Sequence, residues 1–169
     1  MDKRWIYILI ILIIGLVCLF FIVDSSSTLG KANVNIGKYT VTIPNSMNIE
    51  NSDKNHLSLI DRANDEKISI ETYDGNYTDE SYDEALDLLE EDSRVMEIEN
   101  TTIKINNNTL PTLCYKTEDS DNYNQIFFLY QYNSTFIIKC SNFHDNSTLN
   151  KDVEFIAKTI KIDYKQKQD

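Results

Sequence analysis

The sequence predicts an α+β protein: an α/β/α sandwich with a central antiparallel sheet and two main helices, preceded by one N-terminal transmembrane helix. Three observations carry this. Residues 5–23 form an uncharged apolar run of 19 residues. The remainder holds short alternating apolar runs at hairpin spacing, with no regular βαβ repeat. Two further segments repeat their apolar residues at helical spacing.

The run WIYILIILIIGLVCLFFIV begins at Trp5 and ends at Val23. As a helix it would span roughly 28 Å, close to the hydrocarbon core of a bilayer at about 30 Å. It is apolar on every face and bounded sharply by polar residues, unlike a buried soluble helix. It is longer than the apolar region of an ordinary cleaved signal, about 7–15 residues. Cleavage at Ser25–Ser27 stays open as an alternative. Val17 before Cys18 does not suit a lipoprotein signal. A retained anchor is therefore expected. Lys3 and Arg4 before the run place residues 1–4 in the cytoplasm and all that follows outside.

Residues 24–33 are expected to be a polar linker, residues 34–164 the outer domain and residues 165–169 a frayed tail. Of the chain's 169 residues, the outer part holds 14 basic and 26 acidic, a net charge of −12. That excludes a nucleic-acid partner, which needs a basic footprint. It leaves an envelope protein or polymer, a basic partner or weakly held divalent cations.

The elements follow in order. Residues 34–43 read as the first strand, with Tyr39, Val41 and Ile43 alternating with threonines until Pro44 ends it. HLSLI (56–60) and KISIETY (67–73) form a hairpin around a polar turn. A helix starts at Thr78 as cap, with Asp79 and Glu80 in its first turn. Tyr82, Ala85, Leu86 and Leu89 give it one apolar face. Strands resume at 96–105 and 109–117 around the asparagines 106–108. Residues 118–124 are expected to be a loop. Strands 125–132 and 135–143 flank a turn at Asn133-Ser134. Phe136, Ile138 and Cys140 share one face. Leu149, Val153, Ile156, Ala157 and Ile160 mark the closing helix.

Taken together, YTVTIPNSM, HLSLI, KISIETY, the helix after Asp79, QIFFLYQY with STFIIKCS, and DVEFIAKTIKI resemble the PsbP-like superfamily. The resemblance covers roughly residues 34–163 and consists of elements and apolar positions rather than an invariant catalytic motif. It implies the sandwich just described. Known relatives include photosystem accessory proteins, a nuclear-transport GTPase partner, bacterial lipoproteins and secretion chaperones. Similar domains behind membrane anchors occur in methanogenic archaea. These share a fold and little chemistry. The tryptophan usual after the first strand's proline is missing, and Met47 stands near its place. The resemblance brings no metal, cofactor or binding residue to this chain.

Candidate chemistry is sparse. His56 and His144 are the two histidines, and no G-x-S-x-G motif accompanies them. A catalytic residue is therefore not assigned, nor a metal or cofactor site. Cys114 and Cys140 lack the companions of a zinc site. A strand between them would hold them too far apart for a disulfide, although an oxidising exterior favours one. The helix from Asp79 packs eight acids into 14 residues, with like charges at i,i+4 that each cost about 0.2–0.5 kcal/mol. This is either a solvated acidic face or a weak divalent-cation or basic-partner surface. Residues 119–124 (DSDNYN) lack the glycine and glutamate of an EF-hand loop. Five N-x-S/T sequons are candidate glycosylation sites, each expected at a turn or loop: Asn76, Asn100, Asn107, Asn133 and Asn146. The expected function is non-enzymatic binding or accessory work at the cell envelope. An envelope hydrolase or metal-dependent enzyme, and an assembly factor or chaperone, are the alternatives.

Overall fold

The computed structural model describes residues 30–105 and 108–163. The expected anchor at 5–23, the tail at 165–169 and Asn107 lie outside the described residues. Among the described residues no helix is long and apolar enough to cross a membrane.

Among the described residues, two hairpin-built sheets and two helices make up the mixed α+β fold. A seven-stranded antiparallel sheet runs in the order β3 (Asn48–Ser52), β4 (His56–Asp61), β5 (Glu66–Asp74), β9 (Ser134–Phe143), β8 (Ser120–Gln131), β7 (Asn108–Thr117), β6 (Val95–Ile105). A three-stranded sheet holds β1 (Gly30–Ile36), β2 (Tyr39–Pro44) and β10 (Lys161–Ile162). The helices are α1 (Thr78–Glu91) and α2 (Asn146–Thr159).

The central strands are apolar on both faces because both are covered. On one face Ile68, Ile70, Phe127, Leu129, Phe136, Ile138 and Cys140 meet β2 and the apolar side of α2. Leu149, Val153, Ile156 and Ala157 of α2 are all buried there, as the periodicity predicted. On the other face Leu113, Ile126, Phe128 and Ile137 form a smaller cluster under α1. Tyr82, Ala85, Leu86 and Leu89 of α1 pack on it only partly buried, with the Tyr82 ring edge-on to Phe128 at 5.3 Å. Full burial of each large apolar side chain contributes roughly 1.5–3 kcal/mol, so the α2 side is the stronger half of the core. That layer is α2 together with the small sheet, rather than the helix alone that the sandwich reading implied.

Several boundaries differ from expectation. Residues 34–43 are two strands, because Gly37 turns the chain at φ +54°. A Cβ on Gly37 would lie 3.0 Å from the carbonyl oxygen of Lys54, a tight contact added to a left-handed backbone that favours glycine. β1 begins at Gly30, inside the expected linker. The polar edge strand β3 had no strand signal, and β10 is a two-residue edge on β2. Residues 120–124 belong to β8, so the expected loop shrinks to a tight turn with Thr117 opposite Ser120. The β8–β9 turn is Tyr132-Asn133, both left-handed at φ +53° and +56°, with Gln131 opposite Ser134. That is the backbone of a two-residue I′ hairpin, one position earlier than the sequence suggested. Thr78 is the first residue of α1, not its cap. Tyr77 occupies the cap position without a side-chain bond, and the Asn76 amide oxygen accepts from Thr78 N instead, at 3.3 Å.

Candidate functional site

Two turns and the end of β5 line a cleft at one end of the domain. The β1–β2 turn brings Asn35, Gly37, Lys38 and Tyr39, the β3–β4 turn brings Asp53, Lys54 and Asn55, and β5 brings Thr72 and Asp74. The close approach of Gly37 to Lys54 sets these turns against each other. The cleft is about 410 Å³, within the range of small-molecule sites.

Its polar groups are joined in a network. Lys38 Nζ donates to Asp74 Oδ1 at 2.6 Å, and Ser134 Oγ donates to the same oxygen at 3.1 Å. The buried Ser134 hydroxyl also meets the Tyr39 hydroxyl at 2.5 Å. The Tyr39 ring lies under Lys38 Nζ at 5.3 Å and is stacked with Tyr132 at 6.5 Å between centroids. The bond from Lys38, and then that from Ser134, hold the Asp74 carboxyl below its ordinary range. The bond to Asp74, and then Tyr39, raise the Lys38 ammonium. Both are ionised across the physiological range. The cleft therefore presents two ammoniums, two carboxylates and two carboxamides, balanced in charge on an acidic protein.

His56 and His144 lie elsewhere. His144 Nδ1 pairs with Asn122 Oδ1 at 3.0 Å at the surface, near the start of α2. His56 Nε2 lies 3.0 Å from Ser69 Oγ, with Glu71 directly opposite His56 in the β4–β5 ladder. Those three side-chain types suit nucleophilic catalysis in principle. Here they stand on a strand pair whose N–H groups serve the ladder, with no donor pair for an oxyanion. The Glu71 carboxylate is committed to Lys139 at 2.8 Å and Tyr73 at 2.9 Å. Burial raises that carboxyl, and the bonds from Lys139 and Tyr73 outweigh it to lower it overall.

A second polar region lies under α2. Asp145 caps the helix, accepting from Ser147 N at 3.0 Å and Thr148 N at 3.3 Å. Those bonds, with the Ser147 hydroxyl first, lower its carboxyl to about 2. Deeper in, Asp152 is 3% exposed and its Oδ2 accepts no hydrogen bond. Burial first, then Glu66 and Asp61, raise its carboxyl to about 7. Among the described residues no three His, Cys, Asp or Glu side chains are placed to hold a metal ion.

The sequons separate into distinct settings. Asn76 and Asn133 are exposed at turns. Asn100 is exposed but in the middle of edge strand β6, opposite Leu113, and not at a turn. Asn146 opens α2, and its amide oxygen accepts from Gln125 at 2.8 Å and Asn150 at 3.3 Å. The cleft escaped sequence reasoning because it joins residues from separate turns. The one local clue was Gly37 at a break in the apolar alternation.

No family model matches the chain, and no curated protein matches it in sequence. A crystal structure from Bacteroides thetaiotaomicron VPI-5482 is similar with a TM-score of 0.54 and 13% identity, over 79% of this chain and 49% of that one. The likeness thus spans about half of the Bacteroides protein, and it is one of fold alone. The solution structure of cyanobacterial PsbP (CyanoP) from Synechocystis sp. PCC 6803 is similar with a TM-score of 0.48 and 14% identity, over 74% of this chain and 86% of that one.

Proposed function

We propose that this chain is a single-pass, membrane-anchored PsbP-like domain held outside the cell, where it works as a non-enzymatic binding or accessory protein of the envelope. The PsbP-like part is supported by the resemblance of residues 34–163 and by an element order of strands, helix, meander and helix. The anchor is supported by the apolar run at 5–23, only a few residues ahead of β1. The single observation that carries the binding role is the cleft lined by Lys38, Lys54, Asp53 and Asp74. Its hydroxyl–carboxylate pair, Ser134 with Asp74, has the serine fully buried away from any ligand, which suits binding rather than turnover.

The test has two arms. Protease added to intact cells should remove a C-terminal tag from the full chain, and a protected tag would reverse the proposed orientation. Crosslinked capture from the envelope by the full chain should yield a component that is lost with Lys54→Ala and Asp74→Asn together. Retention of every captured component by that variant would remove the cleft from the function. The hydrolase alternative has one observation of its own, the Ser69–His56 pair, and hydrolysis of an envelope ester abolished by Ser69→Ala would favour it.

A further inference from the structure

We propose that the cleft binds a neutral, hydroxyl-rich sugar chain, with the exposed Tyr132 ring as its stacking surface. This rests on the reading of the cleft as the ligand site.

Charge argues against a simple cation and a simple anion. A cation entering the cleft meets the ammoniums of Lys38 and Lys54. An anion meets the carboxylates of Asp53 and Asp74 after approaching a chain of net charge −11. Lys38 and Asp74 already satisfy each other at 2.6 Å, so neither calls for a counter-ion. Asn35 Oδ1 already accepts from Thr40 Oγ1 at 3.2 Å and Asp53 Oδ2 from Asn51 at 3.4 Å, and beyond those bonds the lining keeps hydrogen-bonding capacity of both kinds. Lys54 donates, Asp53 accepts, and the carboxamides of Asn35 and Asn55 do both. A sugar hydroxyl also donates and accepts, so adjacent hydroxyls match such a mixed lining better than any ion does.

The aromatic residues give the second, independent argument. Tyr132 is 44% exposed although it stacks with the buried Tyr39, which lines the cleft. Its backbone sits at φ +53°, a region that costs a bulky residue energy. An exposed ring held at such a position, braced from behind by Tyr39, offers its outer face as an apolar platform. Tyr73, Tyr77 and Tyr130 are 46%, 45% and 42% exposed at the same end of the sheet. Tyr73 and Tyr130 both lie opposite Thr135, on the face that carries α1. That face is the one opposite the cleft, whose Thr72 and Asp74 share the α2 side of β5 with Ile68 and Ile70, so Tyr132 alone serves as the platform. Tyrosine joins an apolar ring to a hydroxyl, which suits the C–H faces and hydroxyls of sugars.

The experiment uses the full chain in nanodiscs with three probes: cellotetraose, maltotetraose and tetra-N-acetylchitotetraose. Tyrosine fluorescence and thermal shift are read up to about 10 mM sugar, where a site of millimolar affinity already stabilises the fold measurably. The expected result is saturable binding of at least one sugar. Lys54→Ala and Tyr132→Asn should each weaken it about tenfold or more. Asparagine tolerates the left-handed backbone at 132, so that variant removes the ring without unfolding the turn. Tyr123→Ala, at an exposed tyrosine outside the cleft, should leave binding intact. Silence of all three sugars, binding indifferent to both cleft variants, or displacement by inorganic phosphate would each overturn the proposal. If the sugars are silent while the cleft variant loses its envelope component, the ligand class fails and the cleft reading stands. If both are silent, the cleft reading fails too.

Discussion

Cys114 and Cys140 occupy one row of the large sheet, each directly opposite Gln125 on the strand between them. Two strand spacings separate them, roughly 9–10 Å, beyond the reach of a disulfide at about 7 Å. Both thiols are free. Burial raises the Cys140 thiol well above its ordinary range, and raises the half-buried Cys114 thiol as well. On a Cys18→Ser background, a thiol reagent should therefore modify Cys114 slowly and leave Cys140 untouched until the fold opens. Reducing agent should leave the melting temperature unchanged. A mass lower by two hydrogens in the purified oxidised protein would show a bridge and a strand order different from this one.

Asp152 supplies a pH dependence whose sign can be worked out. Its folded carboxyl titrates near 7, against 3.8 for the ordinary value. The groups facing it are Glu66 on β5, Asp61 on β4, Lys151 on its own helix and Cys140 on β9. Between those two values the folded state binds more protons than the unfolded state, so stability falls as pH rises. The loss is complete above about 7 and amounts to at most about 4 kcal/mol. Asp152→Asn should flatten this part of the profile and raise stability at pH 8 more than at pH 4. Urea unfolding at both pH values measures it, and an equal effect at the two would refute the ionisation argument.

The two helices are held unequally. α2 buries five side chains and is capped by Asp145, whereas α1 buries none completely and has no side-chain cap. Asp145→Ala should lower stability near neutral pH by removing the cap. The Asp145 carboxyl lies near 2 when folded, so its contribution is present above about pH 4 and fades as pH falls toward 2. Phe128→Ala removes the ring beneath Tyr82 and should cost roughly 3–5 kcal/mol. Amide exchange in α1 should be faster than in α2 in the unaltered protein. Equal protection of the two helices would contradict the packing difference.

What the sequence disclosed was set by which residues face the core. The α1 and α2 periodicities, the Phe136–Ile138–Cys140 face and the placing of one strand between the two cysteines were legible, because burial fixes those residue types. β3 and the start of β1 were not, since edge strands with one solvated face carry polar residues such as Asn33, Asn48 and Asn51. The β1–β2 turn was hidden in an alternation that looked continuous. Its trace is the change of phase from Val34 and Ile36 to Tyr39, Val41 and Ile43, with Gly37 at the break. At the β8–β9 turn, tyrosine at a left-handed position goes against local preference, so the turn was misplaced by one residue. The cleft was illegible because its parts meet only through pairing distant in sequence, as between Lys38 and Asp74.

The acidic face of α1 allows a final prediction. Asp79–Asp83, Asp83–Asp87, Asp87–Glu91 and Glu80–Glu84 repel along the helix, and its last turn holds no basic residue. Asp92 is matched by Arg94 at 2.8 Å, just past the helix end. The bonds from Arg94 lower the Asp92 carboxyl to about 2, so this pair is spent on the turn into β6. The remaining acids project from a straight helix, which does not wrap an ion as a calcium loop does. Repulsion between exposed charges is relieved by any salt, because the screening length falls from about 30 Å at 0.01 M to about 10 Å at 0.1 M. Sodium chloride and calcium chloride at equal ionic strength should therefore raise the melting temperature alike. A larger rise with millimolar calcium, abolished by Asp83→Asn with Asp87→Asn, would instead establish a divalent-cation site on this helix.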